Sequence, residues 1–268
     1  MIPVYSGGHG GEEVMLDTIW NENCLSTMGR MPDGLVDMTV TSPPYDNLRE
    51  YNGYKWDFEG IAAELYRVTK PGGVLVWIVG DATVKGSETG TSFSQALRLK
   101  ELGFNIHDTM IWEKTGRLPT QDRYYAVFEY MFVLSKGKPS AMNFICDHKN
   151  LNGGRVQRKD GVINKGKNQK ADGTFVRSEY SRRPNIWKIH VGKNTTGHPA
   201  IFPEQLANDH ILSWSNPGDV VYDPFMGSGT TAKMALLNDR HFIGSEMSAK
   251  YCAVAEERLN GLLLEGRK

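Results

Sequence analysis

The chain has 268 residues but only three cysteines, no long apolar run and no net charge, and each scarcity excludes something. Cys24, Cys146 and Cys252 are odd in number, far apart and without a C-x-x-C pair. That spacing argues against a disulfide framework and against a structural zinc site. The longest purely apolar run covers residues 74–79, far short of the roughly 20 residues a bilayer-crossing helix needs. The N-terminal stretch MIPVYSGGHGGEE has no basic segment leading into an apolar one, so no secretory signal is read there; a cytoplasmic protein without membrane contact is expected. The histidines at 107, 148, 190, 198, 210 and 241 lack metal-ligand spacing, and no metal is expected.

What the chain does have is a core. With 40% hydrophobic, 10% aromatic and 23% charged residues it reads as one globular domain, or one domain carrying an insertion. The 31 basic and 31 acidic side chains cancel overall but not locally. Residues 149–193 hold 12 Lys and Arg against 3 acids, a net +9, which leaves −9 on the rest. A solvated lysine-rich loop is one reading of that run; a surface for a polyanion is the other.

Apolar runs bounded by Gly and Pro alternate with helical patterns, the signature of an α/β fold with a mainly parallel sheet. Strands are expected at residues 36–41, 74–79, 106–112, 127–134, 219–222 and 241–245, and ordered structure resumes at 185–190 after the irregular stretch. Helices are expected after Asp57, ended by Pro71-Gly72-Gly73, and at residues 92–102, 203–213, 229–237 and from Ser248 to about 263. The pattern dissolves from Gly137 to about Arg183. Three parts follow: 1–136 and 194–268 as the two parts of one domain, and 137–193 as an inserted basic region.

Two motifs carry chemistry. Asp223-Pro-Phe-Met-Gly227-Ser-Gly229-Thr-Thr231 closes a strand and opens a helix, so its glycines can bring backbone amides against a ligand at a helix N-terminus. Glu246 ends the next strand, placed to accept hydrogen bonds from ribose hydroxyls, which describes a nucleoside-containing cofactor. A nicotinamide dehydrogenase would share this pattern, and a glycine-rich turn without a ligand competes with both. The second motif, Thr41-Ser-Pro-Pro-Tyr45, also closes a strand. Two prolines remove donors and stiffen the turn, leaving carbonyls and the Ser42 hydroxyl as fixed acceptors beside the flat face of Tyr45. A planar substrate bearing an amino group, such as an extruded base, would suit it; a plain proline turn is the simpler reading.

Together, T-S-P-P-Y and the later D-P-F-M-G-S-G-T-T resemble the amino-group DNA methyltransferases, in the permuted motif order of the beta class. Further matches are His198-Pro-Ala-Ile-Phe-Pro-Glu204, Pro217-Gly218-Asp219, Phe242-Ile-Gly-Ser-Glu246, Tyr251, Arg258-Leu259 and the run from Phe128 to Lys136. The resemblance implies a Rossmann-like fold, S-adenosylmethionine as cofactor and methyl transfer to cytosine N4 or adenine N6 of a flipped base. It implies that Asp223, Pro224, Phe225, Gly227, Ser228, Gly229, Thr230 and Thr231 hold the methionine part, with Phe202 against the cofactor and Glu246 on its ribose. Asn23, in the turn Glu22-Asn23-Cys24-Leu25, stands where the family usually has an Asp that contacts the adenine amine. Ser42, Pro43, Pro44 and Tyr45 would hold the target base, and Ser before Pro-Pro-Tyr leans toward cytosine N4.

By the same resemblance the basic insertion occupies the target-recognition region. Arg155, Arg158, Lys159, Lys165, Lys167, Arg177, Arg182 and Arg183 are then candidates for contact with double-stranded DNA. Asp46 is a candidate proton acceptor or a turn former, and Tyr51, Tyr54 and Trp56 a candidate closing loop. A cognate restriction endonuclease is a candidate partner, and the enzyme is expected as monomer or homodimer. A nicotinamide oxidoreductase, a glutamine or RNA methyltransferase, and a silent DNA-binding protein remain as alternatives.

Overall fold

The computed structural model describes residues 3–5, 14–44, 57–118, 122–151, 153–154, 156–158, 174–191 and 203–265. Two compact units divide the chain: residues 1–143 with 185–268, and residues 144–184.

The larger unit is built on an eight-stranded sheet. In chain order its strands are β1 (Thr18–Trp20), β2 (Val36–Thr41), β3 (Thr69–Val79), β4 (Asn105–Leu118), β5 (Ala126–Ser135), β6 (Ile186–Ile189), β7 (Val220–Asp223) and β8 (His241–Ser245). Across the sheet they run β6-β4-β5-β3-β2-β7-β8-β1. Every neighbouring pair is parallel except the two made by β5, which is antiparallel to both β3 and β4. Among the described residues six helices accompany the sheet: α1 (Cys24–Arg30), α2 (Phe58–Val68), α3 (Thr91–Glu101), α4 (Glu204–Trp214), α5 (Thr230–Leu237) and α6 (Ala249–Glu265). Among the described residues no helix is long and apolar enough to cross a membrane.

Period-two alternation sends side chains to both faces of β3, which is why it reads as a continuous apolar run. Leu75, Trp77 and Val79 join Met28, Leu65, Leu99 and Phe132 in one core, and Val74, Val76 and Ile78 join Met38, Met131, Ile211 and Phe242 in the other. The Asp57 carboxylate caps α2 by accepting from the Gly60 amide at 3.0 Å.

Several boundaries depart from the sequence-based expectation. The expected break at Pro71-Gly72-Gly73 lies inside β3, which begins at Thr69 directly from α2. The Gly72 amide donates to the Lys136 carbonyl and the Lys136 amide to the Gly73 carbonyl, so glycine at φ +84° serves as a bend that keeps its ladder partner. β1 and α1 have no counterpart in the sequence-based expectation. A three-residue edge strand gives little periodicity, and α1 is announced only by Asn23, whose Oδ1 accepts from the Leu25 amide at 2.9 Å.

The described residues of the smaller unit form a pair of antiparallel ribbons, His148–Lys149 with Tyr180–Ser181 and Val156–Arg158 with Thr174–Val176. Asn150 and Glu179 close it, the Asn150 amide donating to the Glu179 carbonyl at 2.8 Å. A Cβ on Gly153 would stand 2.6 Å from the Glu179 Cα, so this approach requires glycine.

Trp77, fully buried, donates from its indole nitrogen to Gln95 Oε1 at 2.9 Å. Trp77→Phe keeps most of the apolar contact but strands the buried Gln95 amide, at an expected cost of about 1–3 kcal/mol. Urea unfolding checks this; a loss within error of zero would show that Gln95 finds another partner.

Candidate active site

The two motifs that lie 182 residues apart in sequence meet because of the sheet's connectivity. From β2 the chain crosses through α2 to β3 on one side, and from β7 it crosses through α5 to β8 on the other. The order therefore switches direction between β2 and β7, and ligands of open parallel sheets bind outside the carboxyl ends at such a switch. Thr41 ends β2 and leads into Ser42-Pro43-Pro44; Asp223 ends β7 and leads into the glycine loop. Thr41 and Pro43 are buried, while Ser42 and Pro44 are partly exposed at the rim. Tyr45, Asp46, Tyr51, Tyr54, Trp56 and Phe202 lie outside the described residues.

Asp223 is the buried centre of this meeting point. Its Oδ1 accepts from the Thr41 hydroxyl at 2.6 Å and the Phe225 amide at 3.0 Å, and its Oδ2 accepts from the Thr231 hydroxyl at 2.6 Å. Burial pushes its carboxyl up to about 6, against the pull of those three donors. The loop beyond it is shaped by contacts that leave no room. Gly229 sits at φ +80°, and a Cβ there would lie 2.8 Å from the Ala255 Cβ on α6. Pro224 and Phe225 complete the turn, with Phe225 edge-on to Trp77 at 6.4 Å between ring centroids.

Glu246, at the end of β8, faces the loop. Its Oε2 accepts from the Gly227 amide at 2.9 Å and its Oε1 from the Ser248 amide at 2.7 Å. Burial raises its carboxyl above the usual range, and these amides oppose that shift. Two residues hold the frame: Asn21, not singled out from the sequence, and Arg258, quoted there only as part of a family match. Asn21 donates to the carbonyls of Glu246 and Met247 at 2.9 and 3.1 Å, and the Glu246 amide donates to the Trp20 carbonyl at 3.0 Å. Arg258 on α6 donates to the Ser228 carbonyl, to the Ser228 hydroxyl at 3.1 Å and to Glu204 Oε1 at 2.8 Å. Lys233 reaches the same Glu204 oxygen at 2.7 Å. Burial alone would raise the Glu204 carboxyl, and these two cations outweigh it and hold it low. Only the Arg258-Leu259 and Pro203-Glu204 matches hinted at this network.

Asn23 follows β1, whose last residue, Trp20, pairs with Ser245 of β8, and it uses its side-chain oxygen as the cap of α1. An amide oxygen has two lone pairs, so one acceptor position remains. Cys24 and Cys252 are buried thiols, pushed up by burial to about 12 and about 11, which keeps both protonated and poor nucleophiles. Among the described residues no group of three or more His, Cys, Asp or Glu is arranged to hold a metal.

In the smaller unit the basic candidates separate. Arg177 is exposed, and Arg182 places its guanidinium 4.1 Å from the Phe144 ring centroid. Arg183 Nε donates to both Asp147 oxygens at 3.1 and 3.0 Å, so its charge is matched locally and the Asp147 carboxyl is held low. Arg158 is placed by its backbone in a ribbon; Arg155, Lys159, Lys165 and Lys167 lie outside the described residues.

The DNA methylase family model, which groups N6- and N4-directed enzymes, matches residues 36–257, most of the chain. The chain belongs to the DNA methylase family. It is 57% identical over 249 residues to the orphan methyltransferase M.BamHII of Bacillus amyloliquefaciens, covering 87% of this chain and 91% of that protein. The type II methyltransferase M.BglII of Bacillus subtilis is 29% identical over 266 residues, covering 92% of this chain and 69% of that one. Among solved structures, the cytosine-N4-specific PvuII DNA methyltransferase superposes with a TM-score of 0.68 at 22% identity, covering 90% of this chain and 85% of that one, a likeness of fold. The Thermus thermophilus protein TTHA0409, solved in complex with S-adenosyl-L-methionine, has a TM-score of 0.59 at 25% identity, covering 90% and 91%. As a DNA methylase with this mixed α/β sheet, the chain has the Rossmann-like methyltransferase fold expected of it. Family membership also decides against a nicotinamide oxidoreductase.

Two measurements test the site. Gly229→Ala combines a left-handed backbone with a clash against α6, so weaker binding of S-adenosylhomocysteine by calorimetry is expected, at least about tenfold, with a lower melting temperature. Asp223 has a folded-state value of about 6, above the roughly 3.9 of an unfolded Asp. The folded protein thus keeps this proton in a window where the unfolded chain has lost it. The stability the group contributes is full below about pH 4 and is lost as pH rises through about 6. The melting-temperature difference between the wild type and Asp223→Asn should therefore shift against the wild type from pH 4 to 6 and stay level above; a pH-independent difference contradicts this.

Proposed function

We propose that the protein transfers the methyl group of S-adenosylmethionine to the exocyclic amino group of a flipped base in double-stranded DNA, with cytosine N4 as the target atom. The observation that carries this reading is the adjacency, across one pair of parallel strands, of the Ser42-Pro43-Pro44 turn and the Asp223–Thr231 loop.

The residues present fit the cofactor. An ionised carboxylate offers about four acceptor positions, and backbone amides occupy one on each Glu246 oxygen, which leaves acceptors for a ribose diol. α5 begins at Thr230 with no side-chain cap, so its first amides suit the carboxylate of an amino acid. When bound, the cofactor supplies a methyl group activated by a sulfonium centre. The remaining demands fall on the target amine, whose lone pair is delocalised into the ring. The Ser42 hydroxyl and the Pro43 carbonyl accept its two hydrogens, favouring a tetrahedral nitrogen whose lone pair is free to form the N–C bond as the S–C bond breaks. Tyr45 stacks on the ring, and the amine's surplus proton leaves to solvent or to Asp46. No enzyme nucleophile takes part, in keeping with the two protonated buried thiols.

Ser42, where adenine-directed relatives more often carry Asp, supports cytosine over adenine. Arg177, Arg182 and the other basic candidates of residues 149–193 apart from the Asp147-paired Arg183 supply phosphate contacts, so affinity for DNA falls steeply with salt.

Incubation of double-stranded DNA with radiolabelled S-adenosylmethionine, followed by nucleoside analysis, should place the label in N4-methylcytosine. Label in N6-methyladenine would replace cytosine by adenine. Label in neither, with RNA or protein labelled instead, would sink the proposal. Tyr45→Ala should abolish turnover while S-adenosylhomocysteine binding survives.

A further inference from the structure

The paired register of β2 and β7 runs from Met38–Val221 to Thr39–Tyr222 and ends there. β7 stays paired with β8 up to Asp223–Gly244, and β2 with β3 up to Thr41–Trp77. The two strands that bear the motifs thus continue for one or two residues, each held on its outer side, with no ladder between them. Side chains span that gap. The Thr41 hydroxyl and the Thr231 hydroxyl each reach one Asp223 oxygen at 2.6 Å, and the Thr231 hydroxyl also stands 3.4 Å from the Val40 carbonyl. A hydroxyl has one proton, so the shorter contact to Asp223 takes it and the Val40 contact is secondary.

We infer that Thr41 is a positioning residue for methyl transfer: by its hydrogen bond to Asp223 it fixes the spacing between the base-holding turn and the cofactor loop. This rests on the proposed function, and it holds for either target base. Neither Thr41 nor the Asp223 oxygen it occupies needs to touch the base. Both are buried, and Thr41 stands one residue before Ser42. Reaction requires nitrogen and methyl carbon in line at about 3–3.5 Å, and a misplacement near 1 Å costs on the order of a hundredfold. Losing the link lets the β2 end relax against β3 alone, while the loop stays tied to Asp223 by Thr231 and the Phe225 amide. The effect therefore belongs in turnover and not in cofactor affinity.

Thr41→Val preserves shape and branching and removes only the hydroxyl. Assayed well below its melting temperature, it should lower kcat for DNA methylation at least about tenfold, while the Kd for S-adenosylhomocysteine and the KM for DNA stay within about twofold of the wild type. Thr41→Ser, which restores the hydroxyl, should recover kcat to within about threefold. Thr41→Cys, a weak donor of similar size, should fall between the two and serves if the valine variant does not fold. A kcat for Thr41→Val, or for Thr41→Cys in its place, within about twofold of the wild type overturns the inference. So does a loss confined to cofactor affinity, or a loss that serine fails to rescue. The wild type distinguishes the two levels: no label on DNA bases at all defeats the proposed function, whereas an active wild type with an equally active valine variant defeats only the role of Thr41.

Discussion

One buried carboxylate joins what the backbone leaves apart at the centre of the sheet. Where β2 and β7 stop pairing, Asp223 accepts from Thr41 on one side and from Thr231 and the Phe225 amide on the other. Such a group is destabilising in a dry interior and is kept only where its hydrogen bonds are complete. Its raised carboxyl shows that three donors offset only part of the desolvation. The switch in crossover direction explains why the bond is needed: a ladder that ran on past Thr39 would close the crevice in which ligands of this architecture sit. Opening the crevice removes backbone hydrogen bonds, and side chains must then set its width.

The outer wall of the crevice follows the same logic. Glu246 is held by two amides, its own backbone by Trp20 and Asn21, and the loop opposite it by Arg258. Arg258 matters because a guanidinium can serve several acceptors at once: the Ser228 carbonyl and hydroxyl, and Glu204 at the head of α4. Gly229 completes the arrangement by subtraction, since α6 lies where its side chain would be. The protein's own contacts thus set the shape of the loop, which limits the ordering that binding must do.

How much of this was legible in the sequence depends on the range over which each feature is encoded. β2, the strong apolar part of β3, β8 and the capped start of α2 are local, and Val36–Thr41, Asp57 and His241–Ser245 appear where periodicity and capping place them. Both motifs and Glu246 were readable for the same reason: glycine, proline and a strand end are short-range signals. The hidden parts are long-range. Thr41 looks like any β-branched residue until Asp223 is found 182 positions later, and Asn21 acquires its meaning from carbonyls 225 and 226 residues away. Pro71-Gly72-Gly73 misled because the break signal is local while the ladder that overrides it, through Lys136, is not.

Charge gives a last instance of the same distinction. A count over residues 149–193 assigns +9 to the segment, but a count is blind to pairing. Arg183 commits its guanidinium to both oxygens of Asp147, which lies two residues outside the counted window, while Arg177 stays exposed. An ion pair of this kind fixes a loop but adds almost nothing to the field seen by a polyanion, because its two charges lie within hydrogen-bonding distance and cancel beyond it. Under the proposed function, phosphate attraction therefore falls to the remaining cations of the segment, set against an excess of −9 on the rest of the chain. On that proposal the opposition disfavours non-specific contact with the acidic remainder and concentrates the salt-sensitive part of DNA affinity in one stretch of sequence.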